Sequence, residues 1–212
     1  MNAHLLLTLP VAFPAAGIAL CALFWSRPDV QRIVSLAASA GLLGSAIALT
    51  VAVHDGTVLA TQFGNWPAPF GITFVADMLA AAMVLITGIM AVAVGVYGLT
   101  GEVRERENAF YHVLYQGLLL GVTGAYLTGD IFNLYVWFEI MLITALGLLV
   151  IDKSRAQLDG AMKYAILNLL STLVFLLAIA ILYGATGTLN MADLARVLPD
   201  IGNNTALTVA SA

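Results

Sequence analysis

From Met78 to Gly98 the chain runs without one charged side chain, and similar apolar stretches recur along its whole length. A run of this kind constrains folding more than any motif does, because about 20 apolar residues in a helix cross the roughly 30 Å hydrocarbon core of a bilayer. Backbone N–H and C=O groups cannot be left unpaired in lipid, so helices are the expected solution. Six stretches of 19 to 26 residues qualify: 5–25, 33–53, 74–99, 110–128, 131–151 and 161–183. A seventh, 203–212, begins apolar and ends after half a crossing, as if the chain stops within a helix. Composition agrees. Only 9% of the 212 residues are charged, against about 25% in ordinary soluble domains, too few to clothe a water-soluble globule. The expected fold is therefore an all-α membrane protein, one polytopic domain over 1–212 with six transmembrane helices plus the start of a seventh.

The net charge of −4 and the lack of a basic cluster argue against a nucleic-acid partner. The lone Cys21 forms no internal disulfide. The first stretch is neither signal peptide nor lipoprotein anchor, since no Lys or Arg precedes it and the apolar run continues past Cys21. Nothing resembles a phosphate-binding glycine loop, a paired-cysteine metal site or a Ser-His-Asp constellation, so no cofactor or metal site and no soluble-enzyme chemistry are expected.

Basic residues set the orientation. Arg27 and Arg32, Arg104 and Arg106, and Lys153 and Arg155 lie in alternate loops, six of the eight basic residues on one side. That side is read as cytoplasmic, which puts the N-terminus outside. The outer segment around Trp66 and Phe70 reads as a turn-rich loop, and residues 189–198 as a short amphipathic helix capped by Asn190.

Charge inside a bilayer is costly, about 2.5 to 3.5 kcal/mol at helix centre, so each intramembrane charge is a functional candidate. Glu139 stands about 12 Å and about 18 Å from the ends of its expected span. It is either a carboxylate that takes up and releases protons or a structural group locked by hydrogen bonds. Lys163, two residues into the sixth span, is either an anchor reaching the interface or a proton-path residue. Asp77 reads as a first-turn charge favourable to the helix dipole or as part of an outer-side path. Asp130 reads most simply as an N-cap. His112 and Gln116, one turn apart, and Asn168 could hold water for proton transfer or bond between helices. Tyr135, Trp137 and Phe138 read as packing.

The stretch Thr128-Gly129-Asp130-Ile131-Phe132-Asn133-Leu134-Tyr135-Val136-Trp137-Phe138-Glu139-Ile140-Met141-Leu142 resembles the D-type subunit of the Mrp-type multisubunit Na+/H+ antiporter. So do Gly64-Asn65-Trp66-Pro67-Ala68-Pro69-Phe70-Gly71 and Leu182-Tyr183-Gly184-Ala185-Thr186-Gly187-Thr188-Leu189-Asn190-Met191. More distantly the chain is similar to antiporter-like subunits of NADH:quinone oxidoreductase. The resemblance implies the N-terminal part of a fourteen-helix antiporter-like fold with two inverted five-helix repeats. It also implies assembly with other Mrp subunits in a bacterial plasma membrane and exchange of Na+ for H+. On it, Glu139 is the proton acceptor of helix 5, and Lys163 matches a lysine commonly found at the start of helix 6; the reading of the residues adds Lys163 and His112 as candidates for the cytoplasmic approach and Asp77 for the outer side. Its lysine partner belongs to helix 7, beyond this sequence. Two other readings remain open: a pumping subunit of a quinone- or ferredoxin-linked redox complex, and a structural module without transport of its own.

Overall fold

A computed structural model describes residues 2–66, 71–99 and 110–200. Arg104, Arg106, Phe70 and the apolar stretch 203–212 lie outside them. The chain forms helices α1 (Ala3–Leu23) and α2 (Pro28–Val53), strands β1 (Leu59–Gln62) and β2 (Thr73–Ala76), α3 (Met78–Tyr97), α4 (Tyr111–Leu127), α5 (Ile131–Leu149), α6 (Arg155–Thr186) and the short α7 (Met191–Val197). Among the described residues five helices, α1, α2, α3, α5 and α6, are long and apolar enough to cross a membrane. The 17-residue α4 spans about 26 Å at 1.5 Å per residue.

The third helix starts later than the expected 74–99. Residues 73–76 pair antiparallel with β1, Thr61 opposite Phe74 and Gln62 opposite Thr73. A short apolar run does not distinguish strand from helix by periodicity, and Thr73-Phe74-Val75 has the β-branched and aromatic character of a strand. The helix begins after Asp77, whose carboxylate accepts from the Ala80 amide at 2.8 Å. Asp77 is thus the N-cap, one residue outside the helix, rather than a charge one turn inside it.

The sixth helix is also longer than the expected 161–183. Ser154 and Gln157 form a reciprocal capping box at its start, and Gly187 ends it with φ 73°, a left-handed conformation that favours glycine. Lys163 therefore stands eight residues after Arg155, on the third turn, not at the helix mouth.

Buried faces follow helical spacing. In α1 they include Leu7, Pro10, Pro14, Gly17 and Cys21, and in α2 Gln31, Ser35, Ala38, Ser39, Leu42, Ser45, Ala46, Leu49 and Val53. More than half of α4 is buried, because it packs against α1, α2, α3 and α5. It approaches α5 closely enough that a Cβ on Gly121 would come within 2.8 Å of the Met141 backbone nitrogen. Small residues permit such backbone approach where no hydrophobic effect drives helices together.

One end of the bundle is tied by backbone hydrogen bonds. The turn between α4 and α5 lies between β2 and the chain after α6: Gly129 N donates to Thr73 O at 2.8 Å, Met191 N to Gly129 O at 2.9 Å and Ile131 N to Leu189 O at 3.0 Å. Asn190 Nδ2 reaches Thr73 Oγ1 at 3.1 Å. At this end His4 Nδ1 and Thr61 Oγ1 share a 2.7 Å hydrogen bond. The opposite end carries Arg27, Arg32, Lys153 and Arg155, with Trp25 edge-on to Phe110 at 4.4 Å.

Candidate functional site

Successive side chains of α5 look two ways. Trp137, Met141 and Thr144 press on the glycines of α4, whereas Glu139, Leu142, Ile143 and Leu146 line a cleft of about 230 Å³ against α6. The facing wall is Tyr164, Asn168, Leu169 and Thr172. Glu139 sits eight residues after Ile131 and ten before Leu149, hence about 12 Å and about 15 Å from the helix ends. It is partly buried. One turn earlier on α5, at the i, i+4 spacing that puts two residues on one helix face, stands Tyr135. Tyr135 and Phe138 both meet Phe175 of α6, with ring centroids 6.2 and 6.4 Å apart.

The other candidate residues do not converge on Glu139. Lys163 bonds Asp159 one turn away at 2.7 Å, with both side chains largely exposed, and it is absent from the cleft wall. His112 is buried in the first turn of α4, its ring 5.2 Å from Tyr111, beside a void of about 10 Å³ that Arg32, Ser35 and Tyr115 also line. Asp77 lies at the hairpin end, where it lines a cleft of about 440 Å³ with Thr73, Thr128 and Asn190. Asp130 caps α5 through the Asn133 amide at 2.8 Å. Burial pushes its carboxyl above the usual range, and the backbone bonds from Asn133 and Phe132 partly offset that. Among the described residues there is no group of three His, Cys, Asp or Glu placed to hold a metal.

A polar seam also runs between α1, α2 and α4. Gln116 is fully buried; its Nε2 donates to Ser35 O at 2.9 Å, Ser35 Oγ at 3.0 Å and Ser39 Oγ at 3.2 Å. Gln31 donates to Cys21 O at 2.8 Å. Gln31, Ser35 and Ser39 recur every four residues, a stripe readable in the sequence once the neighbouring helix is known.

Residues 128–211, which contain Glu139, match the family described as NADH:quinone oxidoreductase/Mrp antiporter, transmembrane. The D-type subunit of the Na+/H+ antiporter of Alkalihalophilus pseudofirmus is 38% identical over 204 residues, covering 96% of this chain and 41% of that protein. The Mrp complex of a Dietzia species contains a chain with TM-score 0.82 and 29% identity, over 96% of this chain and 39% of that one. A chain of the membrane-bound sulfane sulfur reductase, an archaeal respiratory membrane complex, gives TM-score 0.86 and 31% identity, over 98% of this chain and 42% of that one. The chain thus spans about two fifths of the relatives it matches. With its multi-pass helical architecture, the chain belongs to the family of antiporter membrane subunits that includes the D-type subunits of Na+/H+ antiporters.

Proposed function

We propose that this chain is the N-terminal part of a proton-translocating subunit in a multisubunit Na+/H+ antiporter, a secondary transporter rather than an enzyme. The observation that carries the reading is Glu139: a carboxylate at the middle of an apolar helix, facing a cleft, inside the stretch that matches the family. Such a group serves transport when its surroundings alternate between favouring the charged and the neutral form. Six spans follow if α4, enclosed by four other helices, crosses with them. The basic end, with Arg27, Arg32, Lys153 and Arg155, then faces the cytoplasm of a bacterial plasma membrane and the N-terminus faces out. Lys163 and His112 stand toward the basic end as approach residues and Asp77 toward the outer side. Other Mrp subunits, H+ and Na+ are the partners.

The test is Glu139→Gln in the complete subunit, assembled with its partners and assayed for Na+-driven pH change in everted vesicles. Exchange is expected to be lost while assembly is retained; exchange at the wild-type rate overturns the assignment. The similarity to a chain of a respiratory membrane complex supports a second reading, a pumping subunit driven by electron transfer. Dependence of the pH change on an electron donor rather than on a Na+ gradient would establish it.

A further inference from the structure

We propose that Phe175 of α6, in contact with Tyr135 and Phe138 of α5, is a hydrophobic gate that separates Glu139 from the hairpin end of the α5–α6 contact. The two helices are joined by a short turn and so run antiparallel, and two clefts open along their contact. One, of about 230 Å³, holds Glu139 and Ile143 of α5 with Thr172 of α6. The other, of about 320 Å³, lies nearer the hairpin, between Asp130 and Phe132 on one side and Tyr183 and Thr188 on the other, and reaches as far as Val136. The rings stand between the clefts on both helices. Toward the hairpin end α5 presents Glu139, then Phe138 and Tyr135, then Phe132, while α6 presents Thr172, then Phe175, then Tyr183.

The contact has the make-up of a seal. The Phe175 ring centroid lies 6.2 Å from that of Tyr135, tilted by 56°, and 6.4 Å from that of Phe138, edge-on at 90°, within the range that aromatic pairs favour. One turn nearer the hairpin, Ile179 is 4% exposed, so apolar side chains line α6 across the whole interval between the clefts. Helix packing accounts for rings between two helices. It does not account for a cleft with a carboxylate on each side of them, Asp130 on one and Glu139 on the other. An ion that passes an apolar ring gives up hydration without compensation, and apolar constrictions gate channels by excluding water. With Phe175 seated, Glu139 is closed to the hairpin end; with Phe175 withdrawn, the two clefts join. A proton carrier reachable from both ends at once would leak instead of exchanging, and one movable ring prevents that.

The inference rests on the reading of Glu139 as proton carrier, and the experiment separates the two. In the complete assembled complex, with its native cysteines including Cys21 replaced, a single thiol is placed in either cleft, as Phe132→Cys or as Ile143→Cys. A charged, membrane-impermeant thiol reagent is then applied to vesicles of each orientation. Phe132→Cys identifies the hairpin side and sets the rate for an open cleft. From that side, Ile143→Cys is expected to label far more slowly while Phe175 is intact, and to approach the Phe132→Cys rate in Phe175→Ala. Phe175→Leu, which keeps an apolar side chain of useful size, is expected to restore the slow rate. Unchanged labelling of Ile143→Cys in Phe175→Ala, or labelling at the open-cleft rate with Phe175 intact, overturns the gate. If Phe175→Ala fails to assemble, Phe138→Ala removes a ring from the α5 side and the same comparison decides. Labelling does not depend on transport, so undiminished exchange in Glu139→Gln overturns the carrier reading alone.

Discussion

The indole of Trp137 lies across Gly124, with no space between ring and glycine for even a methyl group. Two residues on, Glu139 opens to the opposite neighbour. The packing of α4 on α5 therefore sets the direction in which the carboxylate points.

A side chain where α4 meets the α5 backbone should test that dependence. Gly121→Val would force the Met141 backbone away from α4. Overpacking of this kind costs about 1 to 3 kcal/mol. The purified complex should show a lowered melting temperature and altered tryptophan fluorescence, with a smaller change for Gly160→Val, where no atom lies within 4 Å of the added Cβ.

Gln116 is expected to stabilise the protein without acting in transport. Gln116→Leu removes its bonds to Ser35 and Ser39, and polar contacts between membrane helices are worth about 0.6 kcal/mol on average and up to about 1.7. Thermal denaturation should report a loss in that range while the pH profile of exchange stays in place.

Asp77 and its cap separate charge from hydrogen bonding. Asp77→Asn keeps an acceptor for the Ala80 amide, whereas Asp77→Ala does not and should lose about 1 kcal/mol of stability. Denaturation of the two variants side by side checks this. A loss of exchange in Asp77→Asn without a loss of stability would assign the charge itself to the outer path.

Asp130 carries a pH dependence of definite sign. Its carboxyl is raised above 3.8 by burial in the folded state, so the native protein binds the proton more tightly than the unfolded chain does. The stability this contributes is fully present below pH 3.8 and is lost as pH rises through the raised native value. Asp130→Asn, which preserves an acceptor for Asn133, should therefore stabilise the protein at neutral pH. Melting temperatures measured at successively lower pH should show the difference shrinking.

Much of this architecture is readable from hydropathy, because a bilayer leaves few ways to satisfy an apolar backbone. Asn190 as a cap and the mid-helix depth of Glu139 follow from residue type and counting. The hairpin is not readable: Thr73-Phe74-Val75 continues directly into the apolar run of α3, and its strand character depends on β1 and on the remote turn at Gly129. The start of α6 is hidden for the opposite reason, since Asp159 and Lys163 lower the local hydropathy although they pair along the helix. At the site, the position of Glu139 is legible and its surroundings are not. The side of α5 that faces α6 is decided by which side the glycines of α4 take.

The hydrogen-bonded strap of β2, residues 128–130 and residues 189–191 has a mechanical consequence. It fastens the ends of α3, α4, α5 and α6 at one face of the bundle, while Glu139 stands about 12 Å along α5 from it. Any rocking of α6 on α5 would have its fulcrum at that strap, so a small angular change there would be multiplied into a wider gap at the carboxylate.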